Sequence, residues 1–129
     1  DFDMPYKFPK LLADKGVMVA LENSGSMARH QTRNFPFYAG TVAAYGMDME
    51  QALMMITLTP AKILGIDKNY GSLEQGKSAT LFISKGNALD MRGNQLTRAF
   101  IDGRDISLNS HQTELYERYM NKFGAEIKR

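Results

Sequence analysis

The spacing of apolar residues changes several times along this chain, and each change predicts an element. Leu11 and Leu12 lie between Pro9 and Gly16. Pro9 suits the first position of a short helix, where its missing N–H costs nothing, and Gly16 suits the left-handed end. Val17-Met18-Val19-Ala20-Leu21 follows without alternation. Such a run predicts a strand buried on both faces, as in parallel sheets covered by helices, with a helical segment as the competing reading. It stops at Glu22-Asn23-Ser24-Gly25-Ser26, a polar loop at the carboxyl end of the expected strand. In α/β folds that end carries the chemistry.

Helical spacing then dominates. Tyr38, Val42 and Tyr45 share one face of a helix expected over residues 34–45, with Gly46 placed to cap it. Asp48 and Gln51 have capping-box spacing before a second helix, whose stripe is Met49, Ala52, Leu53 and Ile56. Thr59 and Pro60 predict a fresh N-cap and first helical position, with Leu58 and Ile63 as a hydrophobic staple. From Gly71 the pattern turns strand-like, in Ala79–Ser84 and Leu96–Leu108. Asp102-Gly103 between Thr97–Ile101 and Arg104–Leu108 is a two-residue hairpin signal. A last helix is expected from Asn109 or Ser110 to Gly124, with Leu115, Tyr116, Tyr119, Met120 and Phe123 on one side.

This order leaves strands without partners. A strand buried on both faces needs neighbours for its backbone groups, and no second unalternating run exists to pair with Val17–Leu21. The three later strands would leave at least one open sheet edge. The expectation is therefore a piece of a larger fold. Its partners would be the missing N-terminal part of the same protein, or a second copy joined through unpaired strand edges.

Composition narrows the classes further. A chain of 129 residues with 43% hydrophobic and 23% charged residues reads as one folded, soluble unit. Its apolar runs are far shorter than the roughly 20 residues that span a bilayer. A net charge of +2 without a basic cluster offers no footprint for nucleic acid or anionic lipid. With no cysteine there is neither a disulfide framework nor a thiolate nucleophile.

Three stretches carry a family resemblance: Gly46-Met47-Asp48-Met49-Glu50-Gln51-Ala52-Leu53, then Thr57-Leu58-Thr59-Pro60-Ala61-Lys62-Ile63-Leu64-Gly65-Ile66, then Gly71-Ser72-Leu73-Glu74-Gln75-Gly76-Lys77-Ser78-Ala79. Together they resemble the C-terminal signature of amidohydrolases, in particular the imidazolonepropionase-like bacterial branch, over about Asp14 to Leu108. The resemblance implies an α/β fold: the C-terminal portion of a TIM-type (β/α)8 metal-dependent hydrolase barrel, plus the C-terminal strands of a small composite β-sandwich. It divides the chain into residues 1–70 (last barrel strand and its helices), 71–108 (sandwich strands) and 109–129 (amphipathic helix). It implies a parent protein that hydrolyses a cyclic amide, amidine or peptide-like C–N bond by metal-activated water; a soluble protein is expected, with bacterial cytoplasm and periplasm both left open. Thr80 stands where the family more often has Asp.

In that family the last barrel strand usually ends in a pattern whose Asp binds metal or serves as base. Aligning Val19-Ala20-Leu21 with the strand puts Ser24 at the Asp. A serine hydroxyl carries no charge near neutral pH and is a poor base. Glu22 lies two residues earlier on the same pleat face and is the possible substitute. Asn23, His30 and Arg33 are the candidate substrate-binding residues; a solvated histidine and a helix-packing arginine are the bland alternatives. Arg33 could hold an anionic group bidentately. The ligands for zinc or another divalent metal would belong to the parent protein, since this chain's only histidines are His30 and His111, and His111 is expected to be solvated. A non-catalytic, scaffold-like relative is the competing function. Gly71 and Gly76 are expected at positive-φ turns, Lys77 as a cover for apolar surface, and the nine methionines as packing.

Overall fold

The computed structural model describes residues 2–26 and 28–124. The expected packing role of Met27 and the chain beyond Gly124 lie outside those residues. The described chain is α/β, with helices first, strands next and a last helix: α1 (Met4–Ala13), a 3-10 helix (Ala28–Asn34), α2 (Phe35–Ala44), α3 (Met49–Met54), α4 (Leu58–Ile63), β1 (Leu81–Ser84), β2 (Leu96–Ile101), β3 (Arg104–Ile106) and α5 (His111–Lys122).

The core forms where α2 meets α3. Ala39, Val42, Met47, Ala52, Met55 and Leu89 are buried together, and Ala13, Val19, Leu21, Leu53 and Ile56 close around them. Side chains such as Val42 and Met55 each contribute about 1.5–3 kcal/mol when buried in this way. Asp48 caps α3 by accepting from the backbone N–H groups of Glu50 and Gln51 at 3.0 and 3.2 Å. The other half of the expected capping box, a return bond from Gln51, is absent among the described residues. Gly16 and Gly46 adopt φ of +80° and +103° beyond α1 and α2, as their helix-ending positions require.

β1, β2 and β3 form an antiparallel sheet in that order. Phe82 faces Ala99 across the first pair, and Ala99 faces Ile106 across the second. Asp102 (φ +48°) and Gly103 (φ +78°) make the hairpin turn, with both central residues at positive φ. No helix packs directly on a strand among the described residues. The sheet is tied to the helices by the loops instead. Gly71 packs against Ala61, and the segment 87–91 lies on α2, where Leu89 covers Gly40. α5, capped by Ser110 accepting from Thr113 N–H at 3.2 Å, contacts no other described element.

Four local expectations are corrected. The first helix starts at Met4, not Pro9, so Pro9 lies inside it. The carbonyl it leaves without an intrahelical partner, that of Pro5, belongs to an exposed residue open to solvent. α4 is capped at Thr57 and begins at Leu58 rather than at Thr59 and Pro60. Pro60 is tolerated there because the first four N–H groups of a helix have no intrahelical partner anyway. β1 begins only at Leu81, because Ser78 and Thr80 bond to Asp102 instead, and β3 ends at Ile106.

The fourth correction concerns Val17–Leu21, which forms no strand. Among the described residues its backbone makes two backbone bonds, Val17 N–H to the Leu12 carbonyl and Leu21 N–H to the Met55 carbonyl, both at 3.1 Å. Val17 and Met18 are 49% and 64% exposed. A strand requires a ladder, and no described segment lies alongside to supply one.

Candidate active site

Leu21 is the anchor of the candidate loop: its bond to the Met55 carbonyl and its packing on the core fix where Glu22-Asn23-Ser24 emerges. Asn23 is half-buried, and its amide donates to Thr32 Oγ1 at 3.3 Å. Glu22 and Ser24, on either side of it, are exposed. The loop is therefore held by its middle residue, with its two chemically interesting neighbours free of the fastening.

The 3-10 helix supplies the other wall. With three residues per turn, side chains three apart eclipse one another, so the helix has three faces. Thr32 turns one face to the loop. Gln31 turns a second to α2, where the Tyr38 hydroxyl donates to Gln31 Oε1 at 2.7 Å. His30 and Arg33 share the third face, and both are exposed. The structure thus brings Asn23 to the 3-10 helix and sets His30 and Arg33 on one side of it. No hydrogen bond or ion pair joins Glu22, Ser24, His30 and Arg33 to one another among the described residues. His111 is exposed at the start of α5.

A divalent metal needs three or more converging donors, and among the described residues no group of three His, Cys, Asp or Glu side chains converges. The donor set of the described residues does not fit such an ion. An open apolar groove of about 180 Å³ runs between Val17–Val19 and Met47, Met54 and Met55, and none of its walls comes from the loop.

Two polar networks escaped the sequence reading. Lys77 does bury its stem, with the side chain 13% exposed, but its ammonium also donates to Ser72 Oγ at 2.6 Å and Glu74 Oε1 at 3.0 Å. The Ser72 hydroxyl in turn donates to Glu74 Oε1, and this bond first, with the Lys77 ammonium next, holds the Glu74 carboxyl below its usual range. The i,i+3 spacing of Glu74 and Lys77 around Gly76 was the available signal. At the hairpin, Asp102 Oδ1 accepts from Ser78 Oγ, and from Tyr70 OH and Thr80 Oγ1 at 3.4 Å each. The Ser78 bond chiefly lowers the Asp102 carboxyl, partial desolvation opposes it, and Tyr70, Thr80 and Arg104 add to the lowering. Nothing in the spacing of Tyr70, Ser78 and Asp102 announces that they meet.

The chain is similar to several known proteins. The model of the amidohydrolase family matches residues 7–107. An imidazolonepropionase from Syntrophobacter fumaroxidans is 31% identical over 84 residues, 64% of this chain and 20% of that protein. A 5-methylthioadenosine/S-adenosylhomocysteine deaminase from Teredinibacter turnerae is 32% identical over 91 residues, 63% of this chain and 20% of that protein. The solved structure of an amidohydrolase from Thermotoga maritima superposes with a TM-score of 0.68 at 31% identity, covering 79% of this chain and 26% of its own. The chain thus spans about a fifth of the length of the curated relatives it matches. With the family model covering most of its residues, this chain belongs to the amidohydrolase family.

Proposed function

We propose that these residues serve a hydrolase acting on a cyclic amide, amidine or peptide-like C–N bond, to which they contribute the last barrel segment, its catalytic-face loop and part of a composite β-sandwich. The observation that carries this reading is the Asn23–Thr32 bond, which fastens the Glu22-Asn23-Ser24 loop beside the His30 and Arg33 face. The family match supports a hydrolase as the parent protein. Within the loop, Glu22 is the one carboxylate able to take a proton from an attacking water. Ser24 offers a hydroxyl that can orient that water or the substrate, Asn23 holds the loop, and Arg33 with His30 would receive an anionic group. Any divalent ion would take its ligands from residues other than these. Val17–Leu21 and the sheet edges would be completed by further segments of the same protein or by a second copy.

The test is hydrolysis of a panel of cyclic amides, amidines and dipeptides by the protein that contains the rest of the barrel. Glu22→Gln is expected to lower kcat by about 100-fold, the order of a general base. Activity unchanged by Glu22→Gln would remove Glu22 from the chemistry. A second reading, a non-catalytic scaffold, is favoured by Ser24 at the family's Asp position. No turnover by the wild type, together with none after Ser24→Asp, would establish it.

A further inference from the structure

The hairpin turn contains the chain's one Asp-Gly pair, Asp102-Gly103. This dipeptide is chemically fragile. The amide nitrogen of the glycine can attack the aspartyl Cγ, forming a C–N bond while the Cγ–O bond of the protonated carboxyl breaks and water leaves. The amide proton is lost to solvent. Water then opens the resulting succinimide at either carbonyl, giving back aspartate or giving isoaspartate, whose main chain runs through Cβ and Cγ. Glycine favours the reaction because no side chain shields its nitrogen. The turn is exposed, so water reaches it freely.

The surroundings of Asp102 oppose each requirement of that attack. Gly103 N–H is committed to the Ala79 carbonyl at 3.0 Å, which turns the nucleophile towards the 78–80 segment. Asp102 N–H donates to Thr80 Oγ1 at 3.1 Å, fixing the residue on its other side. The carboxylate is held by Ser78 Oγ, Tyr70 OH and Thr80 Oγ1, so Cγ cannot swing over the following nitrogen without releasing them. The Ser78 and Thr80 hydroxyls lie 3.0 Å apart, so while Ser78 donates to the carboxylate the single Thr80 proton goes to Asp102 Oδ1 or to Ser78 Oγ, which couples the two sides of the clasp. Donors on a carboxylate favour the ionised form, and an ionised carboxylate is a poor electrophile. Arg104, the charged residue that lowers this carboxyl through space, acts in the same direction.

We infer that Asp102-Gly103 is a latent site of isoaspartate formation, and that the clasp of Ser78, Thr80 and Tyr70 keeps it closed in the folded chain. The consequence of failure is structural. The extra backbone carbon would fall between Ile101 and Arg104, the pair that closes the β2–β3 ladder, and would break the register there.

The test is ageing of the purified protein at physiological temperature and neutral pH, with isoaspartate at residue 102 read by peptide mapping. The wild type is expected to form it several-fold more slowly than the same chain unfolded in urea. Ser78→Ala and Thr80→Val are expected to accelerate it several-fold while hydrogen exchange shows the β2–β3 hairpin still formed, and Thr80→Ser, which keeps the hydroxyl, is expected to stay near wild type. Equal rates for the folded and unfolded wild type would overturn the inference whatever the variants do. Variants with an intact hairpin that age no faster than wild type would overturn the role of the clasp.

Discussion

Gly40 lies so close beneath the Leu89 carbonyl that a methyl group on it would stand 2.0 Å from that oxygen. Because Leu89 belongs to the core, this contact seats the 87–91 segment on α2. Helix propensity alone says that Gly40→Ala should stabilise α2 by about 1 kcal/mol. The clash says the reverse, a loss of about 1–3 kcal/mol as in other overpacked sites. Urea unfolding gives the sign directly. A stabilised Gly40→Ala protein would mean that Leu89 does not sit where the structure places it.

Gly71 and Gly76 share a positive φ, +94° and +93°, but not their surroundings. A Cβ on Gly71 would meet the Ala61 methyl at 2.7 Å, whereas one on Gly76 would meet nothing within 4 Å. Gly76→Ala should therefore cost only the left-handed strain, about 1–2 kcal/mol. Gly71→Ala should cost roughly 1–3 kcal/mol more. Equal losses in thermal or urea unfolding would contradict the close packing of Gly71 on α4.

The pH dependence of the hairpin clasp follows from the depressed carboxyl of Asp102. Stabilisation by a carboxyl lowered on folding is present above its unfolded value, about 3.9, and is lost as pH falls through its lower folded value. The penalty of Ser78→Ala should thus be largest near neutral pH and fade in acid below that range. Melting temperatures of both proteins across acid pH check this. A penalty that grows on acidification would carry the wrong sign.

Zinc offers a further check. Residues 1–129 alone should retain less than stoichiometric zinc after dialysis, because a structural site usually takes about four ligands and no such group converges among the described residues. One tightly held ion per chain, found by elemental analysis, would mean that carboxylates and His30 assemble a site in solution.

Local signals in the sequence were read well where the cause is local. Asp102-Gly103 marks its turn because both positions need positive φ, and Asp48 marks its cap because its carboxylate reaches the N–H groups of Glu50 and Gln51. Pro60 misled because the third helical position tolerates proline as well as the first does. Val17–Leu21 misled for a different reason: its apolar run describes a burial that the described residues do not provide, and Val17 and Met18 stay half or more exposed. At the candidate site, the residue types of Glu22, Ser24, His30 and Arg33 were legible. The Asn23–Thr32 bond that places the loop was not, nor was the meeting of Tyr70, Ser78 and Asp102, because such contacts depend on how separate segments pack.

We propose that Val17–Leu21, and the loop it carries, are completed by strands from further segments of the same protein or from a second copy. The N–H groups of Met18, Val19 and Ala20 have no hydrogen-bond partner among the described residues. Sedimentation of purified residues 1–129 over a range of concentrations, with hydrogen exchange read at those three amides, tests this most directly. The account predicts concentration-dependent association, with fast exchange at Met18–Ala20 in whatever monomer remains. A monodisperse monomer at every concentration, with these three amides protected, would contradict it.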